Sequence, residues 1–186
     1  MPTWGWALVA VGAVILLIGL IGSRMMRSRR TRWLRSRFGA EYERATADAG
    51  RRAGESELAG RVRRRQELHL RAIPSASAER YVREWRDVQA RFVDSPAAAM
   101  QEADRLVTAV MRERGYPMDD FDQRAADISV DYPEVVDGFR RAHAAARSSE
   151  HSMADTEQLR RALVHYRSLF ERLLDEQEAV STGMTG

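Results

Sequence analysis

Four histidines, His69, His143, His151 and His165, carry all the imidazole chemistry of the chain, and there is no cysteine. None forms a His-x-x-x-His or His-x-x-Glu pair, so neither a structural zinc site nor a helical metal-hydrolase pair is expected, and no cofactor is implied. His143 and His165 fall close to the apolar stripes of their helices and are placed to meet between them. The ordinary reading of such a pair is two hydrogen-bonded boundary residues. Asp119, Asp120, Asp122, Asp127 and Asp131 form an acidic stretch, but it lacks the fixed ligand spacing and central glycine of a calcium loop, so helix capping and solubility account for it. No glycine-rich phosphate loop and no Gly-x-Ser-x-Gly elbow occur. No constellation specifies a reaction, and no catalytic residue is assigned.

Arginine is the other chemical resource. All 30 basic residues are arginine and none is lysine, a bias that reads as nucleotide composition before function. Seven of them, Arg24, Arg27, Arg29, Arg30, Arg32, Arg35 and Arg37, precede the first acid, Glu41. Near an anionic leaflet each contributes about 1 kcal/mol at most, so together they would hold this segment at a membrane surface. The simpler role for the same residues is a topogenic stop signal. If the segment lies flat, Trp33, Leu34 and Phe38 would dip into the interface. A second run, Arg61, Arg63, Arg64 and Arg65 with Arg51, Arg52 and Arg71, has the charge to meet phosphates. It has no aromatic platform and no nucleic-acid motif, and with Glu55, Glu57 and Glu67 interspersed it reads as a solvated helix face.

The elements that position these residues begin with a charge-free apolar run from Trp4 to Gly22. As a helix it would span roughly 28 Å, close to the hydrocarbon thickness of a bilayer. A cleaved signal peptide carries its charges before the apolar stretch. Here Met1-Pro2-Thr3 carry none and the arginines follow, which predicts a retained anchor with the N-terminus outside and the rest cytoplasmic. The absence of cysteine fits a reducing compartment. Gly5, Gly12 and Gly19 recur near one face and would allow a homodimer through close helix approach, although single-pass anchors are often glycine-rich without dimerising.

Beyond the anchor the charge is split. Up to Ser75 there are 15 arginines against 6 acids, and the remainder has 15 arginines against 21 acids. The expected organisation is a transmembrane anchor at 1–23, a basic juxtamembrane helical stalk at 24–72, a linker at 73–77 (Ile73-Pro74-Ser75-Ala76-Ser77), a helical bundle at 78–178 and a disordered tail at 179–186. Gly39 is the first break after the anchor. Leu58, Val62 and Leu68 give the stalk only a thin apolar seam.

From residue 78 the period is helical throughout, giving an all-α chain with about five bundle helices. Tyr81, Val82, Trp85, Val88 and Phe92 stripe the first. Asp94-Ser95-Pro96 opens the second, with Met100, Ala103, Leu106, Val107, Val110 and Met111 inward and a left-handed cap at Gly115. Asp119-Asp120-Phe121 starts a short third helix through Ala125 and Ile128. Asp131-Tyr132-Pro133 begins a fourth, carrying Val135, Val136, Phe139, Ala142 and Ala146. After a polar loop at 148–154, the last helix repeats Leu159, Leu163, Tyr166, Leu169, Phe170, Leu173 and Leu174. The large side chains Trp85, Phe92, Val107, Phe139, Tyr166 and Phe170 should be buried together.

Phe38-Gly-Ala-Glu-Tyr42, Trp85-Arg-Asp-Val-Gln-Ala-Arg-Phe-Val-Asp94, Arg114-Gly-Tyr-Pro117 and Tyr166-Arg-Ser-Leu-Phe170 are the segments through which the chain resembles a group of uncharacterised bacterial proteins, frequent in actinomycetes. Those pair one N-terminal membrane segment with a similar helical region, and the resemblance covers most of residues 35–175. It implies the architecture and carries no activity, cofactor or catalytic residue. The expected function is a non-enzymatic, membrane-anchored interaction module: a scaffold, adaptor or regulatory subunit at an anionic bilayer, with an unidentified protein partner. Two alternatives stand beside it. One is an anchored enzyme gathering Asp87, His143, His165 and Arg160 in a bundle pocket. The other is a nucleic-acid tether using Arg51 to Arg71, although nucleic acid is not the expected partner.

Overall fold

The computed structural model describes residues 16–18, 24–26, 28–150 and 155–182, with the side chains of 150 and 176–182 left out. Among the described residues every regular element is helical, in accord with the all-α expectation. Helix α1 (residues 28–38) is followed by α2 (Ala40–Ala49), α3 (Arg51–Glu67), α4 (Ser75–Asp94), α5 (Pro96–Arg114), α6 (Phe121–Asp131), α7 (Val136–Glu150) and α8 (Thr156–Thr182). Among the described residues no helix is long and apolar enough to cross a membrane. The Trp4–Gly22 run, with its three spaced glycines, lies outside the described residues except for Leu16, Leu17 and Ile18, which are helical and exposed.

The five bundle helices α4–α8 surround one apolar core. Helix α5 packs on α4, α7 and α8, and α7 packs on α8. The stripes converge as their spacing requires: Trp85, Val107, Phe139, Tyr166 and Phe170 are all at most 5% exposed, while Phe92 is only partly buried at the edge. Trp85 stacks on Phe170 with ring centroids 4.8 Å apart, and Phe139 meets Tyr166 edge-on at 6.2 Å. Gly115 ends α5 at φ 96°, a left-handed conformation that other residues adopt only with strain, and Tyr116 N–H donates back to the Met111 carbonyl. Asp120 caps α6 by accepting from Gln123 N–H at 2.7 Å.

Several boundaries differ from the sequence expectation, each for a local reason. Ser75 to Ser77, expected in the linker, form the first turn of α4 behind Pro74, whose extended ψ of 142° leads into the helix. The chain before them is not a free connection. Arg71 N–H donates to the Arg114 carbonyl at 2.8 Å and Ile73 is buried in the bundle core, so residues 68–74 form a strap across the end of α5. Helix α7 begins only at Val136, after a turn over 133–135, and continues through Ser148 and Ser149 to Glu150, where a loop was expected; Ser149 is buried with its hydroxyl donating to the Ala146 carbonyl. Helix α8 runs through Thr182, past the expected end at 178, and 183–186 lie outside the described residues.

A second, smaller apolar cluster joins α1–α3 to the bundle: Leu34, Phe38, Tyr42, Ala45 and Leu58 close around Val130 of α6, with Val62 at its margin. Helices α2 and α3 approach so closely that a side-chain carbon at Gly54 would come within 2.6 Å of the Ala45 carbonyl oxygen. This cluster overturns the idea that Leu34 and Phe38 enter a lipid interface. They are 1% and 0% exposed because α2 and α3 fold back over them, leaving Trp33 as the aromatic of that segment that remains half exposed.

Candidate functional site

Helix α1 divides lengthwise. At i, i+4 spacing Leu34 and Phe38 are buried, while Arg29, Arg30, Arg32, Arg35 and Arg37 are exposed, as is Arg24 in the short described helical stretch before it. Arg27 lies outside the described residues. Of the surface arginines Arg35 is partly neutralised, its guanidinium meeting Glu43 at 2.8 Å and lying 5.6 Å from the Tyr42 ring centre. Arg24, Arg29, Arg30 and Arg37 have no acidic partner among the described residues. Six of the seven arginines singled out from the sequence are therefore described, and all six present charge to solvent.

Beneath α1 the second arginine run behaves differently from a solvated face. Arg61 is only 8% exposed: its Nη1 donates to Glu41 Oε1 at 2.7 Å and to Ser129 Oγ at 3.0 Å, and its Nη2 pairs with Glu57. Arg140 of α7 reaches the same carboxylate, with Nη1 on Oε2 at 2.8 Å and Nη2 on Oε1 at 2.9 Å. Burial would raise the Glu41 pKa, but the donated bonds and charges of Arg140 and Arg61 outweigh it and hold the carboxyl below its ordinary value. Arg64 Nε donates to Asp127 at 2.9 Å, and Arg65 pairs with Asp131, which also accepts from Tyr116 Oη at 2.8 Å.

The solvated-face expectation is thus corrected for Arg61, Arg64 and Arg65, and the capping expectation for Asp127 and Asp131. Arg64 and Arg65 pair with carboxylates of α6 and Arg61 donates to Ser129 of the same helix, so the run stitches α3 to α6. Within α6 only Asp120 caps. The sequence offered charge runs of both signs but no local sign that they would face each other across more than 60 residues.

A cleft of about 660 Å³ opens over this seam, between α2, α3, α6 and α7. Its lining sets Arg44, Arg61, Arg64 and Arg140 against Glu41, Asp48, Glu57, Asp120 and Asp122. Acids slightly outnumber arginines there, so it has no excess positive charge with which to hold an anion.

His143 and His165, expected to meet, have separate neighbours. His143 Nδ1 lies 3.0 Å from Asp104 Oδ1, its ring stacked on Phe121 at 3.8 Å, and Asp104 also accepts from Tyr166 Oη. Burial pushes the Asp104 pKa up, but the bonds to His143 and Tyr166 reverse that and leave it lowered. His165 lies against Gly138, and burial together with nearby Arg141 lowers its pKa. His69 is exposed and His151 lies outside the described residues. Of the groups named for an anchored enzyme, Asp87 sits in a groove between α4 and α5, Arg160 is held by Glu157 at 2.7 Å, and only His143 has a polar cluster, whose other members are Asp104, which the sequence does not single out, and Tyr166, which it marks only as a core residue. Asp104 lies inside an otherwise apolar stripe, four residues after Met100 and three before Val107, which was the available signal. Among the described residues no three His, Asp or Glu gather as metal ligands.

No family model matches the chain, and it has no match among curated proteins or solved structures.

Proposed function

We propose that this protein is a membrane-anchored helical interaction module, held by a single N-terminal span with its N-terminus outside and its bundle in the cytoplasm. It would use the arginines of α1 against anionic lipid and the bundle surface to hold a protein partner. The observation that carries the reading is the division of α1: one face is fixed into the protein by Leu34 and Phe38, and the other presents unpaired arginines directly behind an apolar run of membrane-spanning length. A segment built only as a loose stop signal needs no buried face. Here the basic surface is set at a fixed orientation relative to the folded domain, as an adaptor held close to a bilayer requires. Nucleic acid fits less well, because Arg61, Arg64 and Arg65 are spent on acids within the protein. A reporter fused after Gly186 tests the reading. It should be active in the cytoplasm, and replacing Arg24, Arg29, Arg30, Arg32 and Arg37 by glutamine should give mixed orientations. An active reporter outside the cell in the unaltered chain would overturn it.

A further inference from the structure

A cavity of about 580 Å³ lies between α1 and the first turns of α3, lined by Arg30, Thr31, Arg51, Arg52, Glu55 and Ser56. Three guanidinium groups face a single carboxylate, and that carboxylate is already committed: Glu55 Oε1 accepts from Thr31 Oγ1 at 2.9 Å, Tyr42 Oη at 3.0 Å and Arg51 Nε at 3.1 Å. Arg51 is held in place by the same network, its Nη2 donating to Thr31 Oγ1 at 3.2 Å. Arg30 and Arg52 have no acidic partner among the described residues, and the first turn of α3 contains no acid. The cavity thus has two positive charges in excess, unlike the cleft over the α3–α6 seam, where acids slightly outnumber arginines.

We propose that this cavity is a binding site for a phosphate-bearing head group of an anionic lipid, with Arg30 and Arg52 as its phosphate ligands and Arg51 as a pre-oriented third. Guanidinium groups match phosphate oxygens two at a time, and the Ser56 hydroxyl adds a neutral donor. The place suits the ligand. Arg30 follows Gly22, the end of the apolar run, by only eight residues in sequence, and helical side chains lean toward the N-terminus, here toward the expected bilayer. The proposal rests on the membrane-anchored reading and names the lipid chemistry that its arginine face selects.

The test uses the full chain purified in a non-ionic detergent, titrated by calorimetry with phosphatidic acid dispersed in that detergent and, separately, with inorganic phosphate. Two double variants are compared: Arg30→Gln with Arg52→Gln inside the cavity, and Arg29→Gln with Arg37→Gln on the same basic region outside it. All four residues are exposed, so thermal melts should be unchanged. The cavity pair should weaken phosphatidic acid binding about tenfold or more, and the outer pair less than about twofold. Binding of inorganic phosphate with the same variant dependence also supports the phosphate site and identifies a free anion as a second source. Equal losses in both pairs would overturn the cavity and leave only a diffuse basic surface, with the anchored reading intact. No measurable binding by the unaltered chain would overturn the site as well, while the topology reporter judges the anchor independently.

Discussion

Helices α4–α8 and helices α1–α3 are held by opposite means. The bundle closes on apolar side chains from all five of its helices, with Trp85 against Phe170 and Phe139 against Tyr166. The N-terminal region brings five buried apolar residues to a single valine of α6 and is otherwise tied to the bundle by the ion pairs Arg64–Asp127, Arg65–Asp131 and Glu41–Arg140 and by the bond from Arg61 to Ser129. The first kind of attachment is non-directional and tolerates repacking. The second is directional and fails abruptly when one partner is lost, because a buried charge without its counter-charge is far more costly than an exposed pair is useful. In a single folded chain, the region nearest the expected membrane end is therefore the one whose attachment depends on charge.

The largest test of that contrast is Trp85→Ala or Phe170→Ala. Either should cost about 3 to 5 kcal/mol, a large part of what a domain this size has, and a circular dichroism melt should show both regions lost together. A melt that leaves α1–α3 intact would make the N-terminal region a separate folding unit.

Glu41→Leu comes next. It strands Arg140 and leaves Arg61 with Glu57 as its remaining carboxylate, both guanidinium groups being largely buried, and should cost about 3 kcal/mol. Hydrogen exchange should rise in α1–α3 and in Arg140's turn of α7 while α4, α5 and α8 keep their protection. The pH dependence follows from the same carboxyl. Its folded pKa lies below the ordinary 4.5, so its stabilisation is present above that value and is lost as pH falls through the lower folded value. Acidification below 4.5 should loosen the N-terminal attachment in the native chain, and Glu41→Gln should remove that part of the pH dependence. An unchanged acid profile in the variant would show that Glu41 does not carry the attachment.

The smallest effect is expected at Glu43→Gln. Arg35 and Glu43 are both more than half exposed, so losing their pair should shift stability by less than about 1 kcal/mol. A loss as large as that at Glu41 would erase the distinction between buried and surface pairs.

The bundle was largely legible in the sequence because apolar residues at i, i+3 and i+4 spacing have one physical use, and the breaks at Ser95-Pro96, Gly115 and Asp120 have recognisable backbone chemistry. The N-terminal region was not. Arginine on a helix is compatible with solvent, lipid or a buried carboxylate, and nothing local to Arg61 or Glu41 marks the difference. Glu41 meets Arg61 20 residues later and Arg140 99 residues later. Leu34 and Phe38 carried a signal that was assigned to the wrong medium: an apolar pair on a basic helix next to a membrane-like run fits lipid as well as a protein interior. The arginine cluster from Arg24 to Arg37 could be named from sequence, but the cavity around Arg30, Arg51 and Arg52 depends on Glu55 being tied to Thr31 and Tyr42, which no pattern announces.

The clasp at Glu41 also sets an order in time. During synthesis its carboxylate emerges well before Arg140, and at about 5 to 20 residues per second the 99 intervening residues take roughly 5 to 20 s. Arg61 arrives early in that interval, but Val130, the α6 residue that completes the cluster around Leu34 and Phe38, arrives only near its end. The newborn N-terminal segment therefore waits with its apolar cluster incomplete and its acid half-neutralised, and Val130 followed by Arg140 closes it. A chain truncated before residue 140 keeps α1–α3 in that waiting state, which makes the seventh helix the step at which the arginine surface acquires a fixed direction.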